Sequence, residues 1–192
     1  MPSKHSLGVI HGRFQVLHND HMRYLLAGKE RCEHLVVGVT NPDPCLTQSE
    51  TADAKRDAAV NNPLTYWERQ CMLRAALREA GLAWESFSIV PLPVNMPELY
   101  CHYVPMEAVF YLTIYDDWGR AKLRRFKELG LNVEVMWERS PAEKGISAAD
   151  VRRAMIDGEH WRNMVPASAA RLLLAWKIAD RLRKMTGNMV KT

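Results

Sequence analysis

Five apolar runs of strand length, with helical patterns between them, constrain this chain more than any other feature. They are Leu7 to Ile10, Leu35 to Thr40, Phe87 to Leu92, Val109 to Ile114 and Val133 to Trp137. Strands joined through helices run parallel, and a parallel sheet is covered by helices on both faces. The pattern predicts an α/β fold built on a doubly wound parallel sheet. At 192 residues the chain suits one domain. Its core spans about 6–140, followed by further helices over about 146–186.

The helices have readable ends. Thr65 with Glu68 forms a capping box for a helix carrying Trp67, Met72, Leu73, Ala76 and Leu77, and Gly81 sits where a closing glycine belongs. A helix from Trp118 to Leu129 ends at Gly130 in the same way. Ser147 with Asp150 starts another that runs through Met155 and closes at Gly158. Pro166 suits the first turn of one long final helix, whose Leu172, Leu173, Trp176 and Ile178 to Leu182 make an apolar stripe beside a basic face. Residues 41–63 fit no element: they are polar, hold three prolines and follow a strand end, so they read as an insertion and a candidate lid.

Composition excludes some functions. No run of eighteen apolar residues is present to span a bilayer, and the N-terminus lacks the apolar core of a secretory signal, so no membrane partner and a cytoplasmic location are expected. Cys32, Cys45, Cys71 and Cys101 are scattered without a C-x-x-C pair, which predicts reduced thiols. A net charge of +4 suits phosphorylated small molecules or weak nonspecific contact with nucleic acid. Sparse aromatics on the final helix argue against a specific nucleic-acid site.

The chemistry concentrates in "GRFQVLHNDH", residues 12 to 21, directly after the first strand. A helix beginning near His18 to Asp20 would present free backbone N–H groups and positive dipole charge, and phosphate is the natural guest of such an end. His18 and His21, three apart, share one helix face and can add side-chain donors. A zinc site of the metalloprotease type needs spacing of four and an intervening glutamate, so no metal ligands are assigned. Taken alone, the pair also suits an exposed helix start with one histidine capping. "KGISAADVRRAM" repeats the theme: Ser147 caps a helix whose first turns bear Arg152 and Arg153. By itself that too suits an ordinary capped surface helix.

The order "GRFQ…HxxH" early and "IS…RR" late resembles the HxGH nucleotidyltransferase superfamily, and most closely the archaeal-type nicotinamide mononucleotide (NMN) adenylyltransferases. "NPLTYWERQCMLRAAL", "IVPLP", "LGLNVEV", "ISAADVRRAM" and "VPASAARLL" extend the similarity over most of the chain. The resemblance implies a Rossmann-like core with a C-terminal helical extension. It implies that His18, His21, Arg13 and Arg152 are catalytic and hold a triphosphate. Gly12, Phe14, Gln15, Ile146 and Ser147 would bind the nucleotide. Arg69, Asn95, Tyr100, Asp116 and Trp118 would meet the substrate, with Tyr100 stacking on a base, although a core or loop tyrosine suits that position equally well. The implied reaction is transfer of AMP from ATP to NMN or nicotinate mononucleotide, forming a dinucleotide and pyrophosphate as in NAD biosynthesis. Mg²⁺ would be bound mainly through substrate phosphates, and a homo-oligomer is compatible. When both reactants bring phosphates, alignment and positive charge suffice and no covalent nucleophile is needed.

The sequence departs from that pattern at three places. The glycine expected between the histidines is Asp20, whose carboxylate could recruit Mg²⁺ through water, weaken nucleotide binding or, as we prefer, cap the helix facing away. The threonine expected two residues after Ser147 is Ala149. A T-G-N-like turn is replaced by "TIYDDWG", where Asp116 and Asp117 disfavour an anion. These departures bear on substrate identity. They keep open a cytidylyl- or adenylyltransferase using ATP or CTP with another phosphorylated metabolite, and a noncatalytic nucleotide-binding module.

Overall fold

The apolar runs form five strands, β1 (His5–Gly12), β2 (Cys32–Thr40), β3 (Phe87–Leu92), β4 (Val109–Ile114) and β5 (Asn132–Glu138). They pair in parallel in the order β3-β2-β1-β4-β5. The coordinates are a computed structural model that describes residues 3–43, 58–140, 143 and 145–187. Strands β3 and β4 have the bounds expected from sequence, and the other three extend a few residues further.

Alternation along the strands divides the core. Ile10, Leu35, Val37, Val39 and Tyr111 face the larger cluster, which α1 (Asn19–Lys29) and α2 (Tyr66–Glu79) cover. Val9, Val36, Phe110 and Leu112 face the smaller one, completed by Phe126 of α3 (Asp117–Glu128) and by Tyr100. Helices therefore cover both faces, as a doubly wound Rossmann-like sheet requires. Gly28 lets α1 lie close to the sheet, because a Cβ there would stand 2.3 Å from Ile10 Cδ1. β1 sits between β2 and β4, so the chain changes direction across the sheet at its carboxyl end. Ligand crevices of open α/β sheets lie at such a point.

The helix starts follow the capping signals. Thr65 and Glu68 form the reciprocal box at α2, and Ser147 and Asp150 form one at α4 (Ala148–Asp157), which Gly158 closes at φ +77°. The single long final helix is not observed. Pro166 precedes α5 (Ala167–Ala175), and Lys177, at φ +53°, separates it from α6 (Ile178–Met185). An apolar stripe reports which residues seek the core, and says little about whether the helix axis is continuous. Here the break buries Ile178 and Leu182 and brings Arg181 to Glu68. Within the insertion, Ala59–Asn61 form a 3-10 turn. Of the candidate lid at 41–63, residues 44–57, with Cys45, lie outside the described residues. Cys32, Cys71 and Cys101 are free thiols. No helix among the described residues is long and apolar enough to cross a membrane.

Arg181 meets the Glu68 carboxylate with two hydrogen bonds, at 2.7 and 2.8 Å. Burial pushes the Glu68 carboxyl up, but the Arg181 and Thr65 hydrogen bonds and the Arg181 charge outweigh it and leave it below the ordinary glutamate value. A depressed carboxyl stabilises the fold above its unfolded pKa, and that contribution disappears as pH falls through the folded value. Arg181→Met is therefore expected to cost about 2 kcal/mol at neutral pH. The difference from the parent should shrink below about pH 4. Urea unfolding at several pH values tests this, and a gap that is constant with pH contradicts it.

Candidate active site

A cavity of about 430 Å³ opens at the carboxyl ends of β1 and β4. Three helices begin on its wall: α1 at His18, α3 at Asp116 and α4 at Ser147. Each start contributes backbone N–H groups and the positive end of a helix dipole. Arg13, Arg23, Lys122, Arg139 and Arg152 also line the cavity. The carboxylates on the wall are turned to protein donors. Asp20 accepts from Arg23 and from the Ile146 N–H, Asp116 from the Gly119 N–H, and Glu143 from Ser140. The anionic charge expected to repel a ligand at Asp116 is thus engaged in capping α3.

His18 caps α1 with its own ring. Its Nδ1 accepts from the His21 N–H at 3.4 Å, which leaves Nε2 as the proton-bearing nitrogen of the neutral tautomer. The two imidazoles stack with centroids 3.6 Å apart. Burial, then the charges of His18 and Arg13, hold His21 well below the ordinary histidine value, so its ring is neutral at neutral pH. His21 Nδ1 is buried without a hydrogen-bond partner. Phe14 packs against the edge of the pair, 5.1 Å from the His21 ring.

Asp20 does not cap α1, as preferred from sequence; His18 occupies that position. Its Oδ2 instead takes the Ile146 N–H at 2.6 Å, tying the chain just before α4 to the first turn of α1. Gly145 has no room for a side chain, because a Cβ would lie 2.2 Å from Asp20 Oδ2.

The expected residues fall into two groups. Gly12, Arg13, Phe14, His18, His21, Asp116, Trp118, Ile146, Ser147 and Arg152 share the cavity. Arg152 is 7% exposed and is held by the Gln15 carbonyl and by Asn61 Oδ1. Burial, then the Arg13 charge, lowers its guanidinium to about 10, still protonated at neutral pH. Gln15, Arg69, Asn95 and Tyr100 are not among the lining residues. The Gln15 amide exchanges two hydrogen bonds with the Leu64 backbone. Arg69, 1% exposed, donates to the carbonyls of Thr65, Arg13, Thr40, Asn41 and Pro42, and so fastens the exits of β1 and β2 to α2. Tyr100 is fully buried, its hydroxyl donating to the Val94 carbonyl; the Asn95 backbone carbonyl accepts from Arg125, while Asn95 Oδ1 is buried without a partner. The polar groups of Gln15, Arg69 and Tyr100 bond backbone, and Tyr100 takes the core position that the sequence also allowed.

Sequence reasoning did not single out His11, Thr113 and Lys122, which also line the cavity. A polar residue ending the apolar run of β1, on the face shared with Val9, was the available signal for His11. Thr113 and Lys122 become visible only once β4 is placed beside β1.

A Rossmann-like sheet whose switch point gathers histidines, arginines and three helix starts defines a nucleotidyltransferase. The chain belongs to the cytidylyltransferase-like family, whose model matches residues 9–154. It is 50% identical to a phosphonoformate cytidylyltransferase from Streptomyces viridochromogenes over 92% of this chain and 95% of that one. It is 31% identical to a nicotinamide-nucleotide adenylyltransferase from Pyrococcus horikoshii, over 95% of this chain and 90% of that one. A bifunctional NMN adenylyltransferase/ADP ribose pyrophosphatase from Francisella tularensis shares the fold, with a TM-score of 0.65 at 14% identity, over 95% of this chain and 54% of that one.

If the Asp20 contact aligns α1 with α4, Asp20→Ala should lower kcat/KM about tenfold to a hundredfold. Asp20→Asn, which keeps an acceptor oxygen, should lose less. Gly145→Ala should be damaging alone and much milder in the Asp20→Ala background, since the clash is gone. Steady-state kinetics and thermal melting of the four-member cycle check this, and simple additivity counts against the contact.

Proposed function

We propose that this protein transfers a cytidylyl group from CTP to a small phosphonate or phosphomonoester, with a carboxylated phosphonate such as phosphonoformate as the favoured acceptor. The observation that carries the reaction class is the convergence of three helix starts, His18, His21, Arg13 and Arg152 on one cavity. The choice of cytidine and of a small acceptor is supported by 50% identity to a phosphonoformate cytidylyltransferase along nearly the whole of both chains. The adenylyltransferase relatives stand at 27% to 31%. Transfer of AMP from ATP to NMN is the competing reading. It is less favoured because Asn95 and Tyr100, which would serve a nicotinamide ring, are absent from the cavity wall.

In the proposed reaction an oxygen of the acceptor's phosphonate bonds to the α-phosphorus of CTP. The bond from that phosphorus to the α,β-bridging oxygen breaks, and its electron pair leaves with pyrophosphate. The acceptor supplies the nucleophile, so the protein's task is alignment and charge. His18 and His21 donate to the β- and γ-phosphates, where charge grows as the bridge breaks. The α4 start at Ser147 and the Arg152 guanidinium hold the outer oxygens, and Arg13 lies beside the reacting centre. Among the described residues no cluster of three or more His, Cys, Asp or Glu side chains is placed to hold a metal ion. Mg²⁺ would be held mainly by phosphate oxygens and water, where it would neutralise leaving-group charge.

Pyrophosphate release over a grid of CTP and ATP against phosphonoformate, a simple phosphomonoester and NMN tests the proposal. CTP with phosphonoformate should turn over fastest, and preference for ATP with NMN would overturn it. His21→Ala should lower kcat about 10² to 10³-fold with little change in thermal stability.

A further inference from the structure

Among the described residues, His11 is the one buried side chain on this cavity whose polar atoms all go unused. It is 9% exposed, lines the cavity, and neither Nδ1 nor Nε2 has a hydrogen-bond partner. Folded proteins rarely leave an imidazole unpaired in this way, since both nitrogens lose water on burial and gain nothing in return. Packing fixes the ring, which lies 5.3 Å from the Phe126 ring of α3. Room for it is kept by Gly38, its partner on β2, where a Cβ would approach His11 Cβ to 3.3 Å and Leu92 Cδ2 to 2.8 Å.

The surroundings identify the guest. Lys122 lines the same cavity from α3, with its ammonium 4.7 Å from the Trp118 ring centre. Burial first, then the Lys122 charge, hold His11 well below the ordinary histidine value. The ring thus presents one neutral N–H on a wall shared with the Lys122 ammonium, a pairing that suits an anionic oxygen. His11 stands on the α3 face of the sheet, whereas His18, His21 and Ser147 reach the cavity from α1 and α4, which pack with the opposite cluster. The cavity therefore has a second cationic end, separate from the one suited to a triphosphate.

We propose that His11 and Lys122 form an acceptor subsite that holds a second anionic group, a carboxylate on a small phosphonate, and so set acceptor specificity. The subsite rests on the cytidylyl reading above. The His11 N–H donates to one carboxylate oxygen while Lys122 neutralises its charge, leaving the phosphonate oxygens free to approach the α-phosphorus.

The test compares kcat/KM for phosphonoformate and for methylphosphonate, which lacks the carboxylate, each with saturating CTP. His11→Leu, close in volume, should reduce the preference for phosphonoformate about tenfold or more through a raised acceptor KM. Lys122→Met, on the helix flank, should move the ratio the same way and keeps the test open if His11→Leu does not fold. An unchanged ratio in a folded variant, or equal losses with both acceptors, overturns the subsite while leaving cytidylyl transfer intact. Parent enzyme that releases no pyrophosphate from CTP with any phosphonate overturns the cytidylyl reading and the subsite with it.

Discussion

Asp20 accepts a hydrogen bond from Ile146, 126 residues further along the chain, and this contact keeps the amino end of α4 beside that of α1. Parallel topology delivers the two helix starts to the same edge of the sheet, but delivery alone does not fix their spacing. Two positive dipole ends repel one another, and the carboxylate between them offsets that repulsion while binding the backbone of one. Arg23 takes the other oxygen, so the negative charge faces protein donors. A cavity lined by cations can therefore hold this carboxylate with both of its oxygens turned to protein donors.

The same economy runs through the rest of the wall. Asp116 and Glu143 each satisfy the backbone near their own positions, so the cations and helix starts dominate the space between them. His18 caps α1 with its own ring, and the cap sets its tautomer. Burial and neighbouring charge keep His21 in its neutral form.

Much of this was legible in the residues. The apolar runs marked every strand, because a doubly covered parallel sheet needs nearly continuous hydrophobicity. Thr65, Glu68, Ser147 and Asp150 announced their helices through side chains that bond neighbouring backbone. The break at Lys177 was hidden, since a left-handed residue without glycine leaves no compositional mark and the apolar stripe continues across it. Within the site, motif order and resemblance pointed to His18, His21, Ser147 and Arg152, which share the cavity. The positions of Gln15, Arg69 and Tyr100 could not be read, because an arginine or tyrosine that binds carbonyls looks the same in sequence as one that binds substrate. His11 was hidden for the opposite reason: its significance lies in contacts it does not make.

Arg69 has a consequence that reaches beyond stapling loops. Its guanidinium is met by carbonyl oxygens, and among the described residues no carboxylate pairs with it. Burial lowers it to about 10, so it stays charged at neutral pH. Carbonyl dipoles solvate that charge without neutralising it. The fold therefore keeps one buried positive charge fixed among the backbone carbonyls that close β1 and β2, where salt in the solvent screens it weakly.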